Sequence, residues 1–193
     1  MSGSLIILVI AFVVQLIAQK ASDGHRRLFG ISVLGLAMAV IFGQALYQSL
    51  QQYLIWKSND LGKLFLPPYQ NWDYFVFYVR VRFFNPYFLS LGLGLLALVS
   101  TQYFNRKYNE RFFEILEPYI FATAIFIVGH PLWLFYLSIL LTISIFISCF
   151  LRFMSQKEDH RFSLYYFWLP IAILTILISR WLEILPWWQI LKV

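Results

Sequence analysis

The chain has 193 residues, 61% hydrophobic, 20% aromatic and only 12% charged, with a formal net charge of +6 and a mean hydropathy of +0.71. Soluble domains carry about 25% charged residues, so this composition argues against a water-soluble globular fold. The positive charge does not indicate nucleic acid either, because the basic residues lie in short loops beside apolar runs, and the lone Cys149 cannot form an internal disulfide.

Six apolar stretches follow one another, approximately Leu5–Ala18, Leu28–Tyr53, Pro86–Phe104, Phe112–Val128, Pro131–Phe153 and Phe162–Ser179. A bilayer core of about 30 Å takes about 20 apolar residues as a helix, with a range of about 17–25. The runs are continuous and not alternating, which predicts helices and not barrel strands. The expected fold is an all-α polytopic membrane helix bundle of about six transmembrane helices, one integral membrane domain over 1–193 without repeats.

No basic region precedes the first stretch, and Ala18-Gln19-Lys20 is a poor cleavage site, so it reads as a retained helix. The second stretch carries Gln44, Gln48, Gln51 and Gln52 at spacings that put them on one helical face. Amides in lipid are costly unless paired. A helix–helix seam held by Gln hydrogen bonds is the favoured reading, and the wall of a polar, headgroup-sized cavity is the other.

Residues 57–85 form the one sizeable connection, expected at the outer interface. Pro67-Pro68 stops a helix there. The following strip, Trp72 to Arg82, is aromatic with Arg80 and Arg82 at alternate places, which suits a membrane interface. Its period of two from Phe75 also permits a short strand. Asn85-Pro86 opens the third span, whose Gly92, Gly94 and Ala97 suit close helix packing. At the start of the fourth, Glu110, Glu114 and Glu117 share a face and read as a solvated or Arg111-paired turn.

Gly129-His130-Pro131 joins the fourth and fifth stretches with almost no loop, and Arg180 and Glu183 close the sixth. Ionisable groups at such depth are functional candidates, although a capping role for His130 and an interfacial anchor for Arg180 account for them as well. The Arg180–Glu183 spacing allows a local ion pair. The remaining 180–193 is too short to span and forms an interfacial tail whose Trp181, Trp187 and Trp188 suit lipid and partner helices. His25, His130 and His160 are scattered, so no metal site is expected, and Gly92-Leu93-Gly94 lacks the partners of a phosphate loop.

Lys20, Arg26, Arg27, Arg106, Lys107, Arg111, Arg152, Lys157 and Arg161 lie after stretches one, three and five, and are nine of the fifteen basic residues. The positive-inside rule puts them in the cytoplasm and the N-terminus outside.

The order of these features resembles prolipoprotein diacylglyceryl transferase, a membrane enzyme that moves a diacylglyceryl group from phosphatidylglycerol to a lipoprotein cysteine. The resemblance runs nearly end to end. The first stretch and Gln19–Arg27 look like the family's first helix and its turn. Phe42-Gly43-Gln44-Ala45-Leu46-Tyr47 is similar to its Gly-Ala-Arg-Leu-Gly-Tyr run, and Ser90–Leu96 lies where it has Phe-His-Gly-Gly-Leu-Leu-Gly. Phe112–Pro118 resembles the helix entry before its Asp-x-x-x-Pro stretch. His130-Pro131-Leu132-Trp133-Leu134-Phe135-Tyr136 is similar to its His-Pro-Thr-Gln-Leu-Tyr-Glu, and Ile178–Glu183 to its Gly-x-x-Arg-Phe-x-x-Glu.

The departures fall on the reactive positions. The family's catalytic His aligns with Leu91 and its Arg of Gly-Ala-Arg with Ala45. Its Gly-Arg-x-Gly-Asn-Phe-x-Asn-Gly signature, its outer head and its final helix have no counterpart. The Arg–Glu ending is one residue short at Glu183. No catalytic residue is assigned, and His130 and Arg180 are the only candidates. Base catalysis supplies about 10²–10⁴-fold, and oriented charges a comparable or larger factor.

The resemblance therefore implies a catalytically degenerate transferase-like protein of a bacterial-type cytoplasmic membrane, acting as a lipid-contacting subunit of a complex. Its expected partners are membrane phospholipid and other membrane subunits, without cofactor, metal or nucleic acid. The lipid-binding candidates are Gln44, Gln48, Arg80, Arg82, His130 and Arg180. An active, diverged transferase using Arg180 and His130 is the alternative. A small-molecule-binding transporter component is a further one, disfavoured because the first stretch has only Ala11 and Ala18, seven apart, where that class shows an Ala-x-x-x-Ala face.

Overall fold

The apolar runs fold as helices joined by short connections. The computed structural model describes residues 2–19, 22–108, 112–154, 164–186 and 188–191. Among these there is no strand. The main helices are α1 (Ser2–Ala18), α2 (Asp23–Ser58), α5 (Asn85–Lys107), α6 (Glu117–Val128), α7 (Leu132–Met154) and α8 (Trp168–Leu182), with shorter α3 (Asp60–Lys63), α4 (Trp72–Val79) and α9 (Trp188–Leu191).

The main helices alternate in direction. At one end, here the turn end, Gln15 on α1 meets Tyr165 before α8, and Arg27 on α2 meets Tyr119 on α6. The opposite end gathers Ser4, Gln48, Tyr87, Val128, Leu132 and Ser179.

Three helical segments, Asp23–Ser58, Trp72–Lys107 and Leu132–Phe150, are long and apolar enough to cross a membrane, and three shorter apolar helices accompany them. The long ones face outward: only 11% of the most apolar window is buried in each of the last two. Leu50, Leu96, Val99, Phe146 and Phe153 stand exposed, while the interior holds Gln15, Asn105, Glu117, Thr123 and Thr175. An apolar exterior over polar buried groups marks a membrane protein. The buried threonine hydroxyls are satisfied within their own helices, as where Thr123 donates to the Tyr119 carbonyl and Thr175 to that of Ile171, each at 2.7 Å, whereas the Tyr136 hydroxyl donates across to the Trp168 carbonyl.

The hub is α6. Every residue in it except Phe121 is buried, and it touches α1, α2, α5, α7 and α8. A helix apolar on all sides belongs in the centre. Small residues let its neighbours close in. A Cβ on Gly94 of α5 would lie 2.8 Å from the Ala122 carbonyl oxygen, and one on Gly30 of α2 would lie 2.7 Å from the Tyr119 ring. Gly92, expected to serve the same packing, is exposed with nothing within 4 Å of its Cβ position. The two-residue step from Gly92 to Gly94, about 200° around a helix, places them on opposite faces.

Several boundaries differ from expectation. The strip at Phe75–Arg82 is helical, not a strand. It forms α4 and a π-helical turn, Arg80–Phe84, that runs straight into α5. Pro86 is the physical reason: it lacks an N–H and its ring crowds the carbonyl four residues back, so the turn before it widens, with Asn85 N–H bonding to the Arg80 carbonyl. Aromatic contacts fasten α4 onto the last turns of α2, with Trp56 centred 4.9 Å from Tyr78 and 5.4 Å from Phe75.

The fourth helix starts at Glu117 and not near Phe112. Asn105 on α5 holds the preceding backbone, donating to the Phe113 carbonyl at 2.8 Å and accepting from the N–H groups of Phe112 and Phe113 at 3.2 and 3.0 Å. Glu117, expected in a solvated turn, is buried. Its carboxylate accepts the Glu114 N–H at 2.8 Å and the Trp168 indole N–H at 3.4 Å. Glu110 and Arg111 lie outside the described residues, as do Lys20, Lys157, His160, Arg161, Trp187 and Lys192. The sixth helix opens at Trp168, after a turn at 164–167.

Candidate functional site

A cleft of about 240 Å³ opens at the end opposite the turn end. It forms because five elements finish there together. Ser4 comes from the start of α1 and Gln48 from late α2. Arg82, Phe83, Pro86 and Tyr87 come from the widened turn and the start of α5. Val128, Gly129, His130 and Leu132 supply the α6–α7 corner, and Ser179 and Glu183 the end of α8. The corner is tight because Gly129 adopts φ +77, a conformation glycine takes without a Cβ penalty.

The members of the Gln row sit in different surroundings, with Gln51 exposed and Gln52 half-buried. Gln44 is half-buried against α1, and a Cβ on Gly3 would lie 2.8 Å from its Oε1. Gln48, one turn on, is exposed and lines the cleft. Arg82 also lines it, while Arg80, two residues earlier, is exposed and does not. Arg180 is exposed and outside the lining. Arg180 and Glu183 form no ion pair, because Glu183 turns into the cleft rim. Among the described residues the ion pairs are Arg26–Asp23 at 3.9 Å and Lys63–Asp60 at 3.0 Å, so Arg82 has no carboxylate partner there.

His130 is half-buried and both of its ring nitrogens are engaged. The Trp133 indole, which can only donate, gives its N–H to Nδ1 at 3.1 Å. Nδ1 is therefore the acceptor, and Nε2 carries the proton and donates it to the Leu191 carbonyl at 2.7 Å. The imidazole is a neutral bridge that ties the α6–α7 corner to α9. Neither nitrogen offers a lone pair to a thiol.

The tail closes over this corner. Trp188 is buried with its ring 5.8 Å from that of Phe135, whereas Trp181 is 80% exposed. The expected outward-facing tryptophan surface is thus divided, because α9 folds back and does not continue along the interface. Sequence reasoning missed this tail–corner contact, as it missed the Pro86-widened turn that places Arg82. Pro86 beside an Arg-bearing run was the available signal for the latter.

Leu91 is half-buried against the core, and Ala45 is buried. Neither carries a group that takes part in proton transfer. Among the described residues no cluster of His, Cys, Asp or Glu could hold a metal ion. No family model matches this chain, and no curated protein or solved structure matches it either.

Proposed function

We propose that the protein is a six-crossing membrane subunit with its N-terminus outside, which holds a phospholipid headgroup in the cleft and performs no acyl or glyceryl transfer. The observation that carries this reading is His130, whose two nitrogens are both spent on Trp133 and Leu191. The cleft keeps a cation, Arg82, and the polar groups of Ser4, Gln48 and Ser179. The Glu183 carboxylate stands at its rim, and His130 is not free to act as a base, so the cleft suits binding more than catalysis.

The alternating helices and the basic bias of the turn end support six crossings. Although α6 rises only about 18 Å against a bilayer core of about 30 Å, it is wrapped by other helices. Irregular backbone is tolerated at depth where protein surrounds it, as at Phe112–Leu116 with its Asn105 clamp. The resemblance to prolipoprotein diacylglyceryl transferase supplies the class of lipid, phosphatidylglycerol. The exposed apolar faces of α2, α5 and α7 suit partner helices, which makes a complex subunit the working role.

The test pairs binding with transfer. The purified chain is titrated with phosphatidylglycerol by native mass spectrometry, and incubated with labelled phosphatidylglycerol and a lipobox peptide. Binding weakened several-fold by Arg82→Gln or Gln48→Ala, with no label on the peptide, is the expected result. Label on the peptide that disappears in His130→Ala would establish the active-transferase reading in its place. Crosslinking at native abundance reads out the subunit role, for which a stoichiometric partner is expected.

A further inference from the structure

At the turn end α2, α5 and the entry to α6 enclose a second depression of about 110 Å³. Arg27 reaches it from α2, and Gln102 and Arg106 from α5, above a floor that includes Asn105 and Tyr119. The floor is rigid. Asn105 is buried and fully engaged with the backbone of Phe112 and Phe113. Tyr119 is buried, and its hydroxyl accepts Nε–H of Arg27 at 3.3 Å. That bond orients the guanidinium while leaving its terminal nitrogens to point elsewhere.

Among the described residues the charge here is unbalanced. Arg26 pairs with Asp23, but neither Arg27 nor Arg106 has a carboxylate within ion-pair distance among the described residues. Two guanidiniums from different helices lining one small hollow repel each other until an anion joins them. A phosphate matches the planar donor fork of arginine and accepts from two such groups at once, with the Gln102 amide available as a further donor. The size suits a single phosphate and not a polyphosphate. Tyr103, Tyr108 and Phe112 stand exposed around the same end, as aromatic side chains do at headgroup level.

We infer that this depression is a second, separate phosphate site, filled by the headgroup phosphate of an anionic phospholipid whose tails lie along the outer faces of α2 and α5. Basic pockets between membrane helices recognise lipid headgroups in this way. The site shares no residue with the cleft and does not depend on the function assigned to it.

The full chain in detergent is titrated with phosphatidylglycerol and, separately, phosphatidylcholine by native mass spectrometry. Its melting temperature is also measured with and without inorganic phosphate. Arg27→Gln or Arg106→Gln should each weaken phosphatidylglycerol binding about tenfold and leave phosphatidylcholine unchanged. Arg106→Gln, whose side chain is exposed, should also retain the wild-type melting temperature without ligand, whereas Arg27→Gln additionally loses the bond to Tyr119. Arg27→Lys should recover part of the loss. Arg82→Gln in the cleft should leave this arginine-dependent component intact. An arginine-dependent melting shift with inorganic phosphate, without an arginine-dependent lipid component, supports the phosphate site and assigns it to a soluble source. Phosphatidylglycerol binding equal in wild type and the Arg27→Gln/Arg106→Gln double variant, with no phosphate shift, overturns the proposal.

Discussion

His130 shows how a single residue's chemistry is decided by its two neighbours. A histidine at a turn deep in an apolar chain is a reasonable candidate base, and the sequence marks it as such. Trp133, three residues on, is also visible in the sequence, but the Leu191 carbonyl is 61 positions away. Only the fold brings it to Nε2. His130→Ala should therefore release the tail: amide hydrogen exchange over 188–191 rises about fivefold, given that one such bond is worth about 1 kcal/mol, while the α6 amides keep their protection. Glu117 makes the complementary case. Its spacing from Glu114 reads as a solvated face, yet Trp168 and the Glu114 N–H enclose its carboxylate. Glu117→Ala should lower stability by about 1–3 kcal/mol, the cost of orphaning buried donors, measured as a drop in the melting temperature in detergent.

At the scale of the element, the glycines of α5 separate packing from mere helix content. A Cβ at Gly94 meets the backbone oxygen of Ala122, which cannot swing aside. Gly94→Ala should therefore force α5 away from α6 and cost about 1–3 kcal/mol, as overpacking does. Gly92→Ala, where the position is open, should be neutral or stabilising by about 0.5–1 kcal/mol through helix propensity. Thermal unfolding of the two variants side by side tests the register of α5 on α6, and equal melting temperatures would refute it. The helix boundaries themselves were legible only in part. Continuous apolar runs located the helices, but the start of α6 depends on the Asn105 side chain of another helix, and the course of α4 into α5 depends on where Pro86 crowds the preceding turn. The period of two in Phe75–Arg82 did not set the structure: Tyr74, Phe75 and Tyr78, at helical spacing, are the residues that meet Trp56 of α2.

For the whole molecule, the test is which surface meets lipid. Leu141 lies in mid-α7 and is exposed. In a Cys149→Ser background, Leu141→Cys should resist a membrane-impermeant maleimide in bilayers and react once the chain is unfolded in denaturant, because thiolate formation needs water. Lys63→Cys, on exposed α3, should react in intact bilayers from one side only, which also reads the orientation. Labelling of Leu141→Cys at the same rate as Lys63→Cys would overturn the bilayer placement.

Composition alone determined that this chain is helical and belongs in a membrane, because too few charged residues exist to solvate a surface and continuous apolar runs have no strand-like alternation. The order of residues also located most of the helices and the residues able to carry charge. What it left open is which apolar face looks inward, since lipid-facing and core-facing positions are equally apolar and carry no periodic signal. The tertiary structure alone decided that the shortest main helix, α6, is the hub. It also decided that Gln48, Arg82 and His130 share one cleft while Arg180 stands apart, and that Arg27 and Arg106 converge at the other end. Those arrangements rest on contacts between residues tens of positions apart, set by close approach at Gly30 and Gly94 and by buried polar pairs, which local sequence does not encode.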